Sequence, residues 1–404
     1  MDIRIDADRL RDRFRGCMVG LACGDSLGMP VETLTPAQIL EATGGHGVTG
    51  YLAPLQTQFH STTLLKPGQT TDDTQLPLAT GRSLVRMRGF DLADIVRELV
   101  EESRKPQRGW GDSVRLGIQE LADGVRQPGE PVRDPLALGM GNGAVPRMIP
   151  LALFTAMAPG PVTDDALDAY RDYLLYTVDF AARVRELAEL THRDACARIG
   201  AACIAITVRQ ALGGAMVLPT GEPPSRFMPL VVISSEHTSC AVHGDVLYRT
   251  IQQIEAYHLG REFDRQHPPM VARYDVARLD RLPEPLRTDL RAFYARLERP
   301  STVSVEDEAV VREALAHNSS DVRESVPFAF ATAMAHRGSF RDGVLAAVNA
   351  GGDSDSTAAM VGAILGANHG LSAIPPEWVE GLEAHDEIIA LADQLFDLVC
   401  SRKP

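Results

Sequence analysis

The sequence predicts an all-α fold, and three observations carry that prediction. Apolar residues recur at helical spacing through most of the chain. Strand signals are scarce, the best being the short run Leu230-Val231-Val232-Ile233. Aromatics make up only 5% of the residues while alanine and leucine are frequent, a composition that suits helix packed on helix. The 404 residues suffice for a large buried core, and the apolar share of 45% is ordinary for a globular protein.

Leu10, Phe14, Met18 and Leu21 mark one face of a first helix. It continues as an apolar stretch with glycines at 16, 20 and 24 and ends in a turn carrying Asp25 and Glu32. Residues 33–70 are loop-rich, with Gly44-Gly45, Gly47, Gly50, Pro54 and Pro67-Gly68, and read as a cover leading to Thr71-Asp72-Asp73. Helices are expected at 74–88, 91–104, 113–123 and 146–158. Thr163 is an N-cap candidate for a long helix reaching about Leu190. Residues 194–212 are apolar throughout, which predicts a central helix. Gly213-Gly214, Pro219, Gly221, Pro223-Pro224 and Pro229 then mark a linker. Beyond it, helices are expected near 238–258, 284–298 and 306–316. Residues 1–404 thus read as a single domain with an insertion at about 213–320. A buried helix is expected to start at the Asp353–Asp355 cluster and run through the apolar stretch Ala358–Ala367, its N-terminus favouring anionic groups there.

The net charge of −14 disfavours nucleic acid or an anionic membrane as partner. No apolar run approaches the ~20 residues of a membrane span, and the charged start Met1-Asp2-Ile3-Arg4 lacks a signal-peptide core. A cytoplasmic location is expected, with the cysteines at 17, 23, 196 and 203 as buried free thiols. His237, Cys240 and His243 share helical spacing, but a zinc site needs a fourth ligand that the sequence does not offer.

Two acidic clusters carry the chemistry: Thr71-Asp72-Asp73-Thr74 and Gly351-Gly352-Asp353-Ser354-Asp355-Ser356-Thr357. Carboxylates packed this densely cost free energy unless a cation neutralises them. All-oxygen donors select hard cations such as Mg2+ or Mn2+ over Zn2+. The clusters are therefore expected to be the two halves of one metal site. Thr71, Asp72, Asp73, Asp353, Asp355 and Ser356 offer four carboxylates and two hydroxyls, an inventory that suits two divalent cations. A plainer reading stands beside this one: Asp-Asp and Asp-x-Asp are common in caps and turns, and Thr70, Thr71 or Asp72 can cap the helix that begins near Thr74. Gly141-Asn142-Gly143-Ala144 runs into a helix start, an arrangement that suits either an anion or an everyday turn. Gly109-Trp110-Gly111 is a pocket wall or core.

The stretch from Gly16 to Glu32, read with the two clusters, resembles the ADP-ribosylglycohydrolase family. Gly141-Asn142-Gly143-Ala144-Val145-Pro146-Arg147-Met148, Thr191-His192 and the stretch from Ser325-Val326-Pro327 to Val348-Asn349-Ala350 agree. The resemblance covers roughly 10–212 and 322–380 in the family's order. It implies a compact multi-helix bundle that hydrolyses an ADP-ribosyl glycosidic bond. The modified acceptor would be a protein side chain (arginine or serine) or a small conjugate. It implies two Mg2+ or Mn2+ ions on the six residues named above, with Asp73 and Asp355 essential to catalysis. Glu32 would activate water or serve as general acid/base; otherwise it is a surface residue opening the next loop. Gly24, Asp25, Gly141, Asn142, Gly143, Ala144 and His192 would line the substrate; Asp25 alternatively supports the metal or is a helix-end turn residue, and His192 alternatively caps a helix end. Two positions depart from the family: Ser356 stands where Thr is more usual, and Arg193 where Thr-His is often followed by Pro. Two alternatives stay open, a hydrolase of a small N-ribosyl metabolite or nucleotide conjugate, and a binding or immunity protein on the same fold.

Overall fold

The computed structural model describes residues 6–57, 61–130, 132–133, 139–156, 180, 182–212 and 318–401. In chain order the elements are α1 (Ala7–Gly28), a 3-10 turn (Met29–Val31), α2 (Pro36–Ala42), α3 (Asp72–Arg86), α4 (Leu92–Ser103), α5 (Asp112–Ala122) and α6 (Met148–Phe154). The chain continues through α7 (Ala195–Leu212), α8 (Val322–Ala335), α9 (Phe340–Asn349), α10 (Ser354–His369), a 3-10 turn (Leu371–Ala373), α11 (Pro376–Gly381) and α12 (His385–Cys400). Residues 182–189 are also helical. Among the described residues there is no strand, only an isolated antiparallel bridge between Gly141 and Asp321. The fold is all-α, as the periodicity requires.

The centre of the molecule is the pair α1 and α10. Gly16, Gly20, Gly24 and Gly28 meet Gly366, Gly362, Ala358 and Ser354 in turn, so the two helices run antiparallel in a register of four residues. A Cβ at Gly20 would lie 2.3 Å from the Gly362 carbonyl oxygen, and one at Gly24 2.0 Å from that of Ala358. The absent side chains let the backbones touch, closer than the usual helix spacing permits. α10 is buried from Ser354 to Asn368, hence its apolar, small-residue sequence.

Most of the other described helices pack on this pair or on its neighbours. α12 lies against α1, with Phe14 and Phe396 edge-to-face at 5.5 Å between centroids and Arg15 holding both oxygens of Asp393 at 2.8 Å. α7 packs on α10, α6 and α8, where Gly200 admits Val322 and Val326. α3 and α4 pair on the flank. Cys17, Cys23, Cys196 and Cys203 are buried free thiols.

The expected helices at 74–88, 91–104, 113–123 and 194–212 are α3, α4, α5 and α7, with ends moved by two residues or fewer. α6 is shorter than 146–158. Its entry is a chain of tighter turns, with Val145 N donating to Asn142 O and Met148 N to Val145 O. α2 interrupts the loop-rich stretch: Thr35 and Gln38 form a full capping box, and Pro36 sits at the first helical position. α8, α9, α11 and α12 are helices beyond those expected. The start of the helix expected from Thr163, the linker, the helices and strand expected between 213 and 317, and His237, Cys240 and His243 all lie outside the described residues.

Candidate active site

The site is assembled where three chain segments end together. Asp25, in the last turn of α1, is wholly buried. Its carboxylate accepts from Thr71 N (3.0 and 3.1 Å), Thr71 Oγ1 (2.8 Å) and Thr74 Oγ1 (2.5 Å). The first turn of α3 is thereby pinned to α1. Thr71 is the N-cap of α3, its Oγ1 accepting from Asp73 N at 3.4 Å, so capping and presentation of the Asp pair are one feature. Asp72 N donates to Arg108 O at 2.9 Å. Arg108 in turn reaches Thr70 O and Glu383, fixing the approach to the cluster from the other side.

The second cluster opens α10. Gly351 and Gly352 both have positive φ (69° and 65°), and a Cβ on either would lie about 2 Å from a carbonyl oxygen, of Leu34 and Asn318 respectively. Thr33 N donates to Gly352 O (2.6 Å) and Gly352 N to Leu34 O (3.0 Å). This clasp holds Thr33 at φ 68°, a strained value for a β-branched residue, and sets Glu32 beside Asp353. Asn318 completes the turn, its amide donating to Gly351 O (2.6 Å) and Thr357 Oγ1 (3.1 Å).

The two clusters meet. Glu32, Asp353 and Asp355 present carboxylate oxygens within 4.8 Å of one another. The Ser356 hydroxyl bonds Asp73, which also faces Asp72, Asp25 and Asp353 electrostatically. Asp355 faces Glu32, Asp353 and Asp73. Burial, reinforced by mutual repulsion, pushes Glu32 to about 9 and Asp72 to about 8. Burial raises Asp25 to about 6 against the opposing pull of its three hydroxyl and amide donors. Burial likewise raises Asp73, Asp353 and Asp355. Such a cluster is far from neutral unless protons or cations are supplied. Its donors are all oxygen, and it lies at the positive ends of two helices, so the residues present fit hard divalent cations.

The other expected residues fall around this centre. Asn142 donates its amide to Asp353 Oδ2, linking the glycine loop to the second cluster. His192 is buried behind that loop, with Cβ positions at Gly141 and Gly143 lying 3.4 and 3.6 Å from its ring. Burial and Arg147 lower its pKa to about 3, so the ring is neutral. Ala144 is buried. Gly24 lies inside the α1–α10 seam, so the backbone that closely approaches it is Ala358. Trp110 is buried and donates its indole N–H to Gln75 (3.0 Å). Glu32 is half-buried rather than a free surface residue.

Sequence reasoning missed Asn318, Arg108 and Arg147. Arg147 had a readable mark, a lone cation in an apolar run, and it is wholly buried. Asn318 and Arg108 carry none, because their partners (Gly351 and Thr357 for the one, Thr70, Asp72 and Glu383 for the other) lie far away in sequence.

Fold and site together define a helical protein built around a buried carboxylate centre suited to divalent cations. The ADP-ribosylglycohydrolase family model matches residues 6–404, and the chain belongs to that family, an enzyme of the glycosyl-hydrolase class. It is 26% identical over 403 residues to ADP-ribosylhydrolase ARH3 of Danio rerio, covering 96% of this chain and 91% of that one. Over 155 residues it is 36% identical to the ADP-ribosyl-[dinitrogen reductase] glycohydrolase of Rhodospirillum rubrum, covering 37% of this chain and 47% of the relative. A solved structure described as an ADP-ribosylglycohydrolase-related protein complex aligns with TM-score 0.59 at 23% identity, over 97% of this chain and 99% of the other. No described helix is long and apolar enough to cross a membrane.

Proposed function

We propose that this chain hydrolyses the glycosidic bond joining ADP-ribose to a modified acceptor, a protein side chain such as arginine or serine, and that it does so with two Mg2+ or Mn2+ ions. The observation that carries this reading is the meeting of Glu32 with Asp353 and Asp355 beside Asp72 and Asp73. Thr71, Asp72 and Asp73 from α3, with Asp353, Asp355 and Ser356 from α10, would hold the ions. Divalent cations held there would polarise a substrate oxygen and lower the pKa of a water. With cations neutralising the cluster Glu32 would be ionised; held by the Thr33–Gly352 clasp, it takes the proton of the water that attacks the anomeric carbon and passes it to the acceptor atom as the glycosidic bond breaks. The surrounding carboxylates stabilise the positive charge that develops on the ribosyl ring. Asn142 orients Asp353, and Asp25 keeps the first turn of α3 in place. The loop Gly141–Ala144, backed by His192, takes the pyrophosphate or the ribose.

The test is a mass-spectrometric time course on arginine- and serine-ADP-ribosylated peptides, with Mg2+ and with EDTA. Metal-dependent release of ADP-ribose is expected, and the peptide consumed names the linkage. Release that proceeds equally in EDTA, or no release from either peptide by Mg2+-loaded enzyme, overturns the reading.

A further inference from the structure

Thr191 and Arg147 take no part in the chemistry above, yet both are wholly buried against the histidine behind the glycine loop. Arg147 donates through Nη2 to Thr191 Oγ1. Thr191 Oγ1 also lies 2.8 Å from His192 Nδ1. A guanidinium is a donor only, so the threonine oxygen accepts from Arg147. Among the described residues its single hydrogen then has one acceptor within reach, His192 Nδ1. If Nδ1 carried a proton instead, that hydroxyl hydrogen would be buried without a partner, which costs more than the hydrogen bond gains.

The consequence lies on the other side of the ring. With Nδ1 accepting, the one proton of the neutral imidazole sits on Nε2. That atom has no hydrogen-bond partner among the described residues, although the side chain is 98% withdrawn from solvent (2% exposed). It points at the glycine loop, 3.4 Å from where a Cβ on Gly141 would stand. Among the described residues the Nε and Nη1 of Arg147 have no partner, and its Nη2 is a fixed donor behind Thr191.

We propose that Arg147 and Thr191 are positioning residues that hold His192 in its Nε2–H tautomer, so that it presents one directed donor to an anionic oxygen of the substrate lying on the Gly141–Ala144 loop. This rests on the function proposed above for its substrate half; the tautomer stands on the hydrogen bonds alone. Imidazole burial and the neighbouring guanidinium keep the ring neutral, so the donor is the same across the physiological pH range.

The experiment is 15N spectroscopy of histidine-labelled full-length protein, with His192 assigned by comparison with His192→Gln. In the wild type Nε2 is expected to be pyrrole-like and Nδ1 pyridine-like. Adding ADP-ribose is expected to shift the Nε2–H resonance. Thr191→Ser should keep this pattern and Thr191→Val should lose it. In turnover, Thr191→Val should raise KM by about tenfold or more while kcat changes much less, and Thr191→Ser should restore it. Protonation at Nδ1 in the wild type overturns the proposal without any variant being needed. So does a Thr191→Val protein, or Thr191→Ala if the valine does not fold, that matches the wild type in tautomer and KM. Bound ADP-ribose that leaves Nε2–H unmoved removes the donor role. If ADP-ribose does not bind at all while the tautomer is as stated, the proposed function and the substrate half fall together, and the positioning of His192 by Thr191 survives.

Discussion

The α1–α10 seam and the α3–α4 pair each deliver carboxylates to the same site, and they are held by opposite means. At the seam, side chains have been removed until backbone meets backbone, and Ser354 Oγ donates to Gly28 O at 2.9 Å where it opens onto the site. Between α3 and α4, long side chains reach across in ion pairs: Arg82 to Glu98 and Glu102, Arg86 to Asp94 and Glu98. A backbone contact has no slack, because no side chain can rotate to absorb an added atom. An ion-paired face has more, because Arg82 and Arg86 are long and partly exposed and can re-aim, although Asp94 and Glu102 are buried. Position in the site is therefore stiff on the seam side and forgiving on the flank.

The largest effects belong to the carboxylates that both regions exist to place. Asp73→Ala on the α3 side and Asp355→Ala on the α10 side should each reduce ADP-ribose release to background while circular dichroism stays helical. If one of them turned over at the wild-type rate, its half of the site would be dispensable, and the two regions could not be compared as equal contributors. Glu32→Gln should slow turnover by about a hundredfold or more while Mg2+ binding by calorimetry persists. An unchanged rate would take Glu32 out of the chemistry.

The seam itself is probed by a methyl group at either end. A Cβ at Gly28 would lie 2.3 Å from Ser354 O and 2.6 Å from the Asp355 Cα, whereas one at Gly16 would lie 2.4 Å from Gly370 C, at the far end of the seam. Gly28→Ala and Gly16→Ala should each cost about 1–3 kcal/mol in denaturant unfolding. Only Gly28→Ala should also weaken Mg2+ binding, since only it moves Asp355. Equal losses of Mg2+ affinity would show that the whole seam, not its register at the site, governs the cluster.

Acidity offers a further contrast. Asp25, Asp72 and Glu32 have folded-state pKa values raised to about 6, 8 and 9, so the folded protein without cations binds more protons than the unfolded chain above pH ~4. Stability in EDTA should therefore fall as pH rises from about 5 to 9, and Mg2+ should flatten that fall by neutralising the cluster. Melting curves at several pH values check both. A metal-free protein whose stability rises through this range would show that the carboxylates are not crowded as described.

Much of this is readable in the chain. α1, α3, α4, α5, α7 and α10 follow from apolar periodicity, and the two carboxylate clusters from their density. The glycines at 16, 20 and 24 are visible too, but their partners are not, because which helix fills a glycine groove is decided by tertiary contact. The same holds for Glu32, whose place beside Asp353 depends on a backbone clasp between Thr33, Leu34 and Gly352. α12 is also written in the sequence: Ile388, Leu391, Leu395, Phe396 and Val399 form an ordinary apolar face. Residues 318–321 show the reverse. Nothing in Asn318-Ser319-Ser320-Asp321 suggests a role, yet Asn318 holds the turn before Asp353, and Ser320 O accepts from Asn142 N at 2.9 Å.

The smallest expected effect tests the forgiving side of the comparison. Arg82 lies 3.0 Å from Glu98 and 2.8 Å from Glu102, and its side chain is 29% exposed. Removing it leaves neither acid without a cation, since Arg86 remains at 2.6 Å from Glu98 and Lys105 at 2.8 Å from Glu102. Arg82→Met keeps the aliphatic stem against the helix and should cost less than about 1 kcal/mol in denaturant unfolding, with turnover and Mg2+ affinity unchanged. A loss as large as that of Gly28→Ala, or a fall in Mg2+ affinity, would mean that the α3 carboxylates are aimed by the ion pairs on the flank. The pinning of α3 by Asp25 through Thr71 and Thr74 predicts otherwise, because those bonds lie at the end of the helix that bears Asp72 and Asp73, more than two turns from Arg82.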